Sequence, residues 1–207
     1  NERPINLNDV LGVMAGLRKN SEPFVLASGG TDLIPQLKMH DIPQITFVSL
    51  SSIKELSGIE LLNDRNIIKL GARTLLADLA SDSLIHEHLP CLALTVKKIA
   101  SPQIRNRASL GGNLLVNHRC SYYNQSEQNR KTHQGCFKAG GDSCHLIPST
   151  TRESFPVCRA RFVSDLAAIL LVLKARVQLL SERGVRTLAL QDLYVADGIQ
   201  RNQIREG

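Results

Sequence analysis

The sequence predicts an α+β fold, one large domain or two small ones, with a cysteine-bearing loop over residues 119–160. Three observations predict it. Residues 1–52 read as helix, strand, glycine turn, helix, strand. Residues 53–113 read mostly as amphipathic segments and end on a second glycine turn. The stretch after that turn has no sustained hydrophobic period and holds four of the chain's five cysteines; an apolar helix and a hairpin follow it.

Asn6 is placed to cap a helix in which Leu7, Val10, Leu11, Met14 and Leu17 share one face. Phe24 to Ala27 reads as a strand, Ser28-Gly29-Gly30-Thr31-Asp32 as a turn, Thr31 to Lys38 as a short helix and Ile45 to Leu50 as a second strand. Ile53 to Leu62 fits helix or strand, and Asn66 to Leu70 is strand-like. Thr74 is expected to cap a helix running to about Leu84. Pro90 opens another, Cys91 to Ile99, which Ser101-Pro102-Gln103 ends. Residues 121–157 are rich in Asn, Gln, Ser, Thr and Gly, and so long a loop in a compact domain needs something to organise it. Asp165 is expected to cap an apolar helix, Leu166 to Leu173. Arg176 to Leu180 and Val185 to Leu190 pair across Glu182-Arg183-Gly184, and Asp192 to Tyr194 begins a last short helix.

The 207 residues are 43% hydrophobic and 21% charged, the balance of a globular protein. The longest apolar run, Leu166 to Leu173, falls far short of a membrane span. The chain opens on Asn1, and nothing in it reads as a targeting segment. Sparse cysteine without a secretory signal points to a reducing, cytoplasmic setting and metal-bound thiols rather than disulfides. From Lys97 to Lys138 there are eight bases and one acid, so the whole net charge of +6 resides there. A solvated basic face is the plain reading, and nucleic acid is another. Bases and aromatics do not alternate, however, and there is no Trp. Neutralising a diphosphate and an anionic cluster explains the location better, and the same face suits an acidic electron carrier.

Glycine lets a backbone approach a ligand closely, and a helix opening right after a turn aims unpaired N–H groups at it. Gly29-Gly30-Thr31-Asp32 has both features, with the Thr31 hydroxyl as a further donor. It is neither a GxGxxG nor a P-loop. Ser109-Leu110-Gly111-Gly112-Asn113 repeats the pattern. Each alone is as readily a plain tight turn; the pair fits one elongated diphosphate ligand. Cys120, Cys136, Cys144 and Cys158 include no C-x-x-C pair, so on spacing alone a [4Fe–4S] cluster, a zinc ion and free thiols all stay open. Cys91, beside Leu92, Leu94 and Val96, reads as a core thiol. His118, His133 and His145 flank the other cysteines as exposed loop residues. Tyr122 and Tyr123 read as loop anchors.

Ala27-Ser28-Gly29-Gly30-Thr31-Asp32-Leu33, Ala100-Ser101-Pro102-Gln103-Ile104-Arg105-Asn106 leading into Ser109-Leu110-Gly111-Gly112-Asn113, and Ser164-Asp165-Leu166 resemble, in this order, the FAD-binding medium subunit of molybdenum hydroxylases, the xanthine and carbon monoxide dehydrogenase family. The insert, from Arg119-Cys120-Ser121-Tyr122-Tyr123 through Cys136 to Gly140-Gly141-Asp142-Ser143-Cys144-His145, resembles that of the beta subunit of 4-hydroxybenzoyl-CoA reductase. The gap from Cys144 to Cys158 is longer than in that subunit, with Ser149 to Pro156 as extra loop.

The resemblance implies a two-subdomain, PCMH-type FAD-binding fold with the family's C-terminal domain mostly absent. The subdomains would be 1–52 and 53–200, with the cysteine loop, 119–160, inserted into the second. The resemblance further implies that Leu26, Ala27, Ser28, Gly29, Gly30, Thr31, Asp32 and Leu33 wrap the FAD pyrophosphate. Ser109, Leu110, Gly111, Gly112 and Asn113 would hold the flavin and diphosphate side. Asp165 would accept from a sugar or ribityl hydroxyl, and Ile99 would pack near the isoalloxazine. It implies a [4Fe–4S] cluster on Cys120, Cys136, Cys144 and Cys158, its charge offset by Arg119, Lys138, Arg159 and Arg161. No residue of the chain is expected to be catalytic.

The implied function is an electron-transfer flavoprotein subunit. It would take electrons from a ferredoxin-like donor and pass them to a [2Fe–2S] small subunit and a molybdopterin large subunit that dehydroxylates an aryl-CoA. An oxidative hydroxylase, discharging through FAD to NAD or another acceptor, is the rival within the family. A zinc-stabilised basic binding module is the rival outside it.

Overall fold

Helix α1 (Leu7–Lys19) starts where its capping residue dictates: Asn6 is extended, and its side chain accepts the Asp9 N–H at 2.9 Å. Val10 is its buried residue. Strands β1 (Phe24–Ala27) and β2 (Thr46–Ser49) pair in parallel, joined by the glycine turn and helix α2 (Leu33–His40). Glu2 adds a bridge on the far side of β2. The computed structural model describes the chain except residues 41–44, 63–66, 148–150, 152, 155–156, 203 and 205–207. The expected strand start at Asn66 and most of the Ser149 to Pro156 stretch lie outside the described residues.

The ambiguous segment 53–62 is a single 3-10 turn, Lys54–Leu56, followed by β3 (Ile59–Leu62), which pairs antiparallel with β4 (Ile67–Leu70). Thr74 does not cap a helix. Its hydroxyl donates to the Gly58 carbonyl and accepts the Gly58 N–H, both at 3.0 Å, and so pins the segment ahead of β3. The expected single helix is two, α3 (Leu76–Ser81) and α4 (Ser83–His88). They break at extended Asp82, whose carboxylate caps α4 through the Ile85 N–H. Helix α5 (Pro90–Lys97) buries Leu92, Ala93 and Val96, which turns Cys91 outward. The thiol expected in the core is therefore exposed.

Helix α6 (Pro102–Arg105), capped by Ser101, and α7 (Leu110–Leu114), capped by Ser109, follow. The insert contributes α8 (Glu127–Lys131) and a 3-10 turn at Phe137–Ala139. The apolar helix is α9 (Ala167–Val172), and its capping side chain is Ser164, not Asp165: Ser164 Oγ accepts the Ala167 N–H at 3.2 Å. Strands β5 (Arg176–Ser181) and β6 (Gly184–Ala189) form the expected hairpin, with Gly184 at φ +106°, and α10 (Leu190–Leu193) closes the order. The principal core joins α3, α4, α5, α9 and α10 through Leu76, Leu79, Ile85, Leu92, Leu170 and Leu190. Among the described residues no helix is long and apolar enough to cross a membrane.

Candidate functional site

The first glycine turn leaves the end of β1 with its backbone donors uncommitted. Among the described residues nothing accepts from the N–H groups of Ser28 through Leu33. Gly30 sits at φ +72°, a left-handed conformation that glycine adopts without penalty. Successive free N–H groups ending in a helix start make a concavity for an anion. The turn also packs directly on the chain before the second one: a Cβ at Gly29 would lie 1.7 Å from the Arg107 carbonyl oxygen. The two turns therefore border one region.

They are not the same device, as their similar sequences suggested. In the second turn the Leu110 and Gly111 N–H groups donate to the carbonyls of Thr74 and Ala72, and the Gly112 N–H donates to Ser109 Oγ. These donors are spent on the fold. What the second turn presents is the exposed Gly112 surface and a polar knot around Asn113. Asn113 Oδ1 accepts from Ser164 Oγ at 3.1 Å and from the Leu166 N–H at 3.0 Å, and its amide reaches Asp165 Oδ2 at 3.4 Å. Asp165 is thereby tied to α7 through Asn113. Ile99 is buried in the core edge. Its carbonyl and that of Ala100, a residue at φ +46°, both accept from Arg105 Nη1.

Cys120, Cys136, Cys144 and Cys158 line a single cavity, with Tyr122, Tyr123, Lys138, His145 and Arg159 in its wall. Each thiol is set by its own local frame. The Cys120 N–H donates to Asn124 Oδ1 at 2.7 Å. The Cys136 carbonyl accepts the Ala139 and Gly141 N–H groups, and the Cys144 carbonyl accepts the Ile147 N–H. Cys158 is buried against Gly198, where a Cβ would meet its Sγ at 2.7 Å, and its N–H donates to Asp197 Oδ1 at 3.1 Å. Among the described residues no three His, Cys, Asp or Glu side chains are close enough to share one metal ion. A cube differs from a single ion here, because each thiolate ligates its own iron and the sulfurs stand farther apart.

Burial pushes the Cys158 thiol up, with Lys138 pulling it back. Burial also draws the Lys138 ammonium down to about 8, against the opposing pull of Cys158 and Cys120. Of the cations expected to offset cluster charge, Lys138 and Arg159 are in the cavity wall, whereas Arg119 forms an ion pair with Asp32 of the first turn. Arg161 is exposed and bridges Arg119 through the backbone. His145 lines the cavity, with Nε2 2.6 Å from the Gln134 carbonyl oxygen. His133 is exposed as expected, but His118 is buried, edge-on to Phe162, and among the described residues its Nδ1 has no hydrogen-bond partner. Arg107, Asn124, Asp197 and Gly198 carried no sequence signal, because their roles depend on neighbours distant in the chain.

A family model described as the FAD binding domain in molybdopterin dehydrogenase matches residues 2–206. The xanthine dehydrogenase FAD-binding subunit of Escherichia coli O157:H7 is 37% identical over 112 residues, 54% of this chain and 37% of that subunit. The aldehyde oxidoreductase FAD-binding subunit of Escherichia coli K12 is 28% identical over 178 residues, 83% of this chain and 54% of that one. Carbon monoxide dehydrogenase from Hydrogenophaga pseudoflava has the same fold, with a TM-score of 0.67 at 21% identity over 99% of this chain and 54% of the solved one. The chain thus spans about half the length of that solved relative, and its matches cover from a third to a half of the curated subunits.

Proposed function

The chain belongs to the family of FAD-binding domains in molybdopterin dehydrogenases, and from that premise we propose that it is the electron-transfer flavoprotein subunit of a molybdopterin enzyme, holding FAD at its glycine turns and a [4Fe–4S] cluster on Cys120, Cys136, Cys144 and Cys158. The observation that carries the cluster is the convergence of these cysteines, far apart in sequence, on one cavity walled by Lys138 and Arg159. The observation that supports the flavin site is the run of uncommitted N–H groups from Ser28 to Leu33 beside the second turn. When bound, FAD exchanges electrons singly or in pairs and a [4Fe–4S] cluster exchanges them singly.

The chain's own part is to bind and orient. Ser28 to Leu33 donate backbone N–H groups to the pyrophosphate, with the Thr31 hydroxyl beside them and Leu26 and Ala27 as the adjoining wall. Ser109 to Asn113 hold the flavin side, and Ile99 packs near the ring. Asp165, oriented by Asn113, accepts from a ribityl or sugar hydroxyl. Lys138 and Arg159 offset negative charge at the cysteines, which raises the potential there. The partners are a molybdopterin large subunit and a [2Fe–2S] small subunit, with a ferredoxin-like donor meeting the basic face at the cavity. The substrate class is an aryl-CoA, dehydroxylated reductively as by 4-hydroxybenzoyl-CoA reductase.

A second reading has its own support. The relatives are named for xanthine dehydrogenase and aldehyde oxidoreductase, and an oxidative hydroxylase would send electrons outward through FAD to NAD or another acceptor. A zinc-stabilised nucleic-acid module loses its ground, since it leaves both glycine turns unexplained in a flavin-binding family.

Anaerobic purification with the co-purifying subunits separates these readings. One FAD and about four iron per chain, a molybdenum-containing partner, and flavin bleached by reduced ferredoxin are expected. Zinc in place of iron would overturn the cluster. Flavin bleaching by the oxidisable substrate, coupled to NADH formation and with no response to ferredoxin, would favour the oxidative enzyme.

A further inference from the structure

A continuous chain of hydrogen bonds runs from the first glycine turn to the cysteine cavity. Asp32 Oδ2 accepts from Gln36 Nε2 at 2.7 Å, Gln36 Oε1 accepts from Asn117 Nδ2 at 2.9 Å, and Asn117 Oδ1 accepts from Lys138 Nζ at 2.7 Å. Lys138 also donates to the His118 carbonyl at 3.3 Å, and its ammonium lies 5.0 Å from the centroid of the Tyr123 ring. Only Lys138 among these relay residues lines the cavity. Gln36 is 8% exposed, and a buried amide is tolerated only where both ends are bonded, as they are here. The other grip on Asp32 is Arg119, the residue immediately before Cys120. Both restraints on the turn's carboxylate therefore originate in the segment that holds the cysteines.

We propose that Lys138 is a positioning residue that couples the cysteine cavity to the first glycine turn: through Asn117 and Gln36 it fixes Asp32, and with it the run of backbone donors. An anionic group in the cavity attracts the ammonium and holds the Lys138 end of the relay in place. Occupancy of the cavity then tightens the turn, and a ligand at the turn tightens the cavity by the same factor. The identities of the two ligands rest on the function proposed above. The coupling itself is read on FAD release, whichever metal the cysteines hold.

The test uses the purified complex, following FAD release by the recovery of free-flavin fluorescence, with iron content measured alongside. Lys138→Met and Gln36→Met should each speed release about tenfold, the loss of a hydrogen bond to a charged group. Lys138→Arg should stay within about twofold of the unaltered protein. The double variant should release no faster than the faster single, because both break one chain. Unaltered release in Lys138→Met, or effects that multiply in the double variant, would overturn the proposal. Should Lys138→Met fail to accumulate, Gln36→Met and Asn117→Ala, both remote from the cavity wall, are scored in the same cycle. A complex with zinc in place of iron that still shows the coupling sinks the iron cluster and leaves the relay. An iron-loaded complex without coupling sinks the relay and leaves the cluster.

Discussion

Gly29 has no room for a side chain: a methyl group there would overlap the Arg107 carbonyl oxygen at 1.7 Å, and the obstacle is backbone, which cannot swing aside. Gly29→Ala must therefore part the two turns. The expected cost is about 1–3 kcal/mol of stability from the forced backbone shift, together with loss of most bound FAD, read by thermal unfolding and the flavin-to-protein ratio. Gly30→Val should weaken FAD as well, because φ +72° is unfavourable for a β-branched residue; undiminished flavin content in that variant would defeat the pyrophosphate assignment. Cys136→Ser should abolish the iron signal while FAD still binds at saturating concentration and leaves faster. Loss of FAD binding in step with iron would make the insert a folding element rather than a redox one. At this scale the sequence was legible where chemistry is rare. Paired glycines and clustered thiols stand out, and four cysteines of five were brought to one cavity. Gln36, Asn117 and Lys138 were not legible as a chain, since Gln, Asn and Lys in a polar stretch look the same whether they join a relay or face water. Cys91 misled for a related reason: an apolar neighbourhood in sequence does not say which side of α5 is inward.

The elements were found more readily than their ends. Strand β1 and the α1 cap follow from local pattern, because a short apolar run closed by a glycine turn and an Asn three residues before an Asp each carry a local signal. Thr74, Asp82 and Asp165 show where that logic stops. Each can cap a helix, and the tertiary structure decides which does: Thr74 is taken by Gly58, Asp82 splits one helix into α3 and α4, and Ser164 takes the start of α9. The exchange between Ser164 and Asp165 is open to test. Ser164→Ala removes the α9 cap and a donor to Asn113, and should cost about 1–2 kcal/mol in urea unfolding. Asp165→Ala leaves the cap intact and should be close to neutral in stability while weakening FAD. Equal destabilisation by the two would return the capping role to Asp165.

At the scale of the molecule, the site exists only because distant segments meet. The first turn rests on Arg107, Cys158 rests on Gly198, and Tyr194 after α10 donates to the Leu114 carbonyl at the end of α7. No window of sequence contains any of these pairs, which is why the sequence suggests one ligand for the two turns and one metal site for the cysteines but not the contacts that hold them together. Tyr194 offers a measure of the assembly's integrity. Its ring packs 4.8 Å from Phe162, which in turn faces His118 at 5.5 Å, so one aromatic column runs from the second glycine turn toward the cysteine loop. Burial there pushes the Tyr194 phenol up to about 12. In the unfolded chain the same phenol ionises near its ordinary value of about 10. Between those values the unfolded state has released a proton that the folded state retains, so stability falls as pH rises across that window and is unaffected by this group below it. Tyr194→Phe loses the bond to Leu114, at about 1 kcal/mol, but should show a flatter decline between pH 10 and 12 than the unaltered protein. Denaturant unfolding of both proteins at stepped pH separates this group from the lysines and other tyrosines that titrate in the same range. Parallel declines would mean that the phenol is solvated, and that the column joining the second turn to the cysteine loop is open to water.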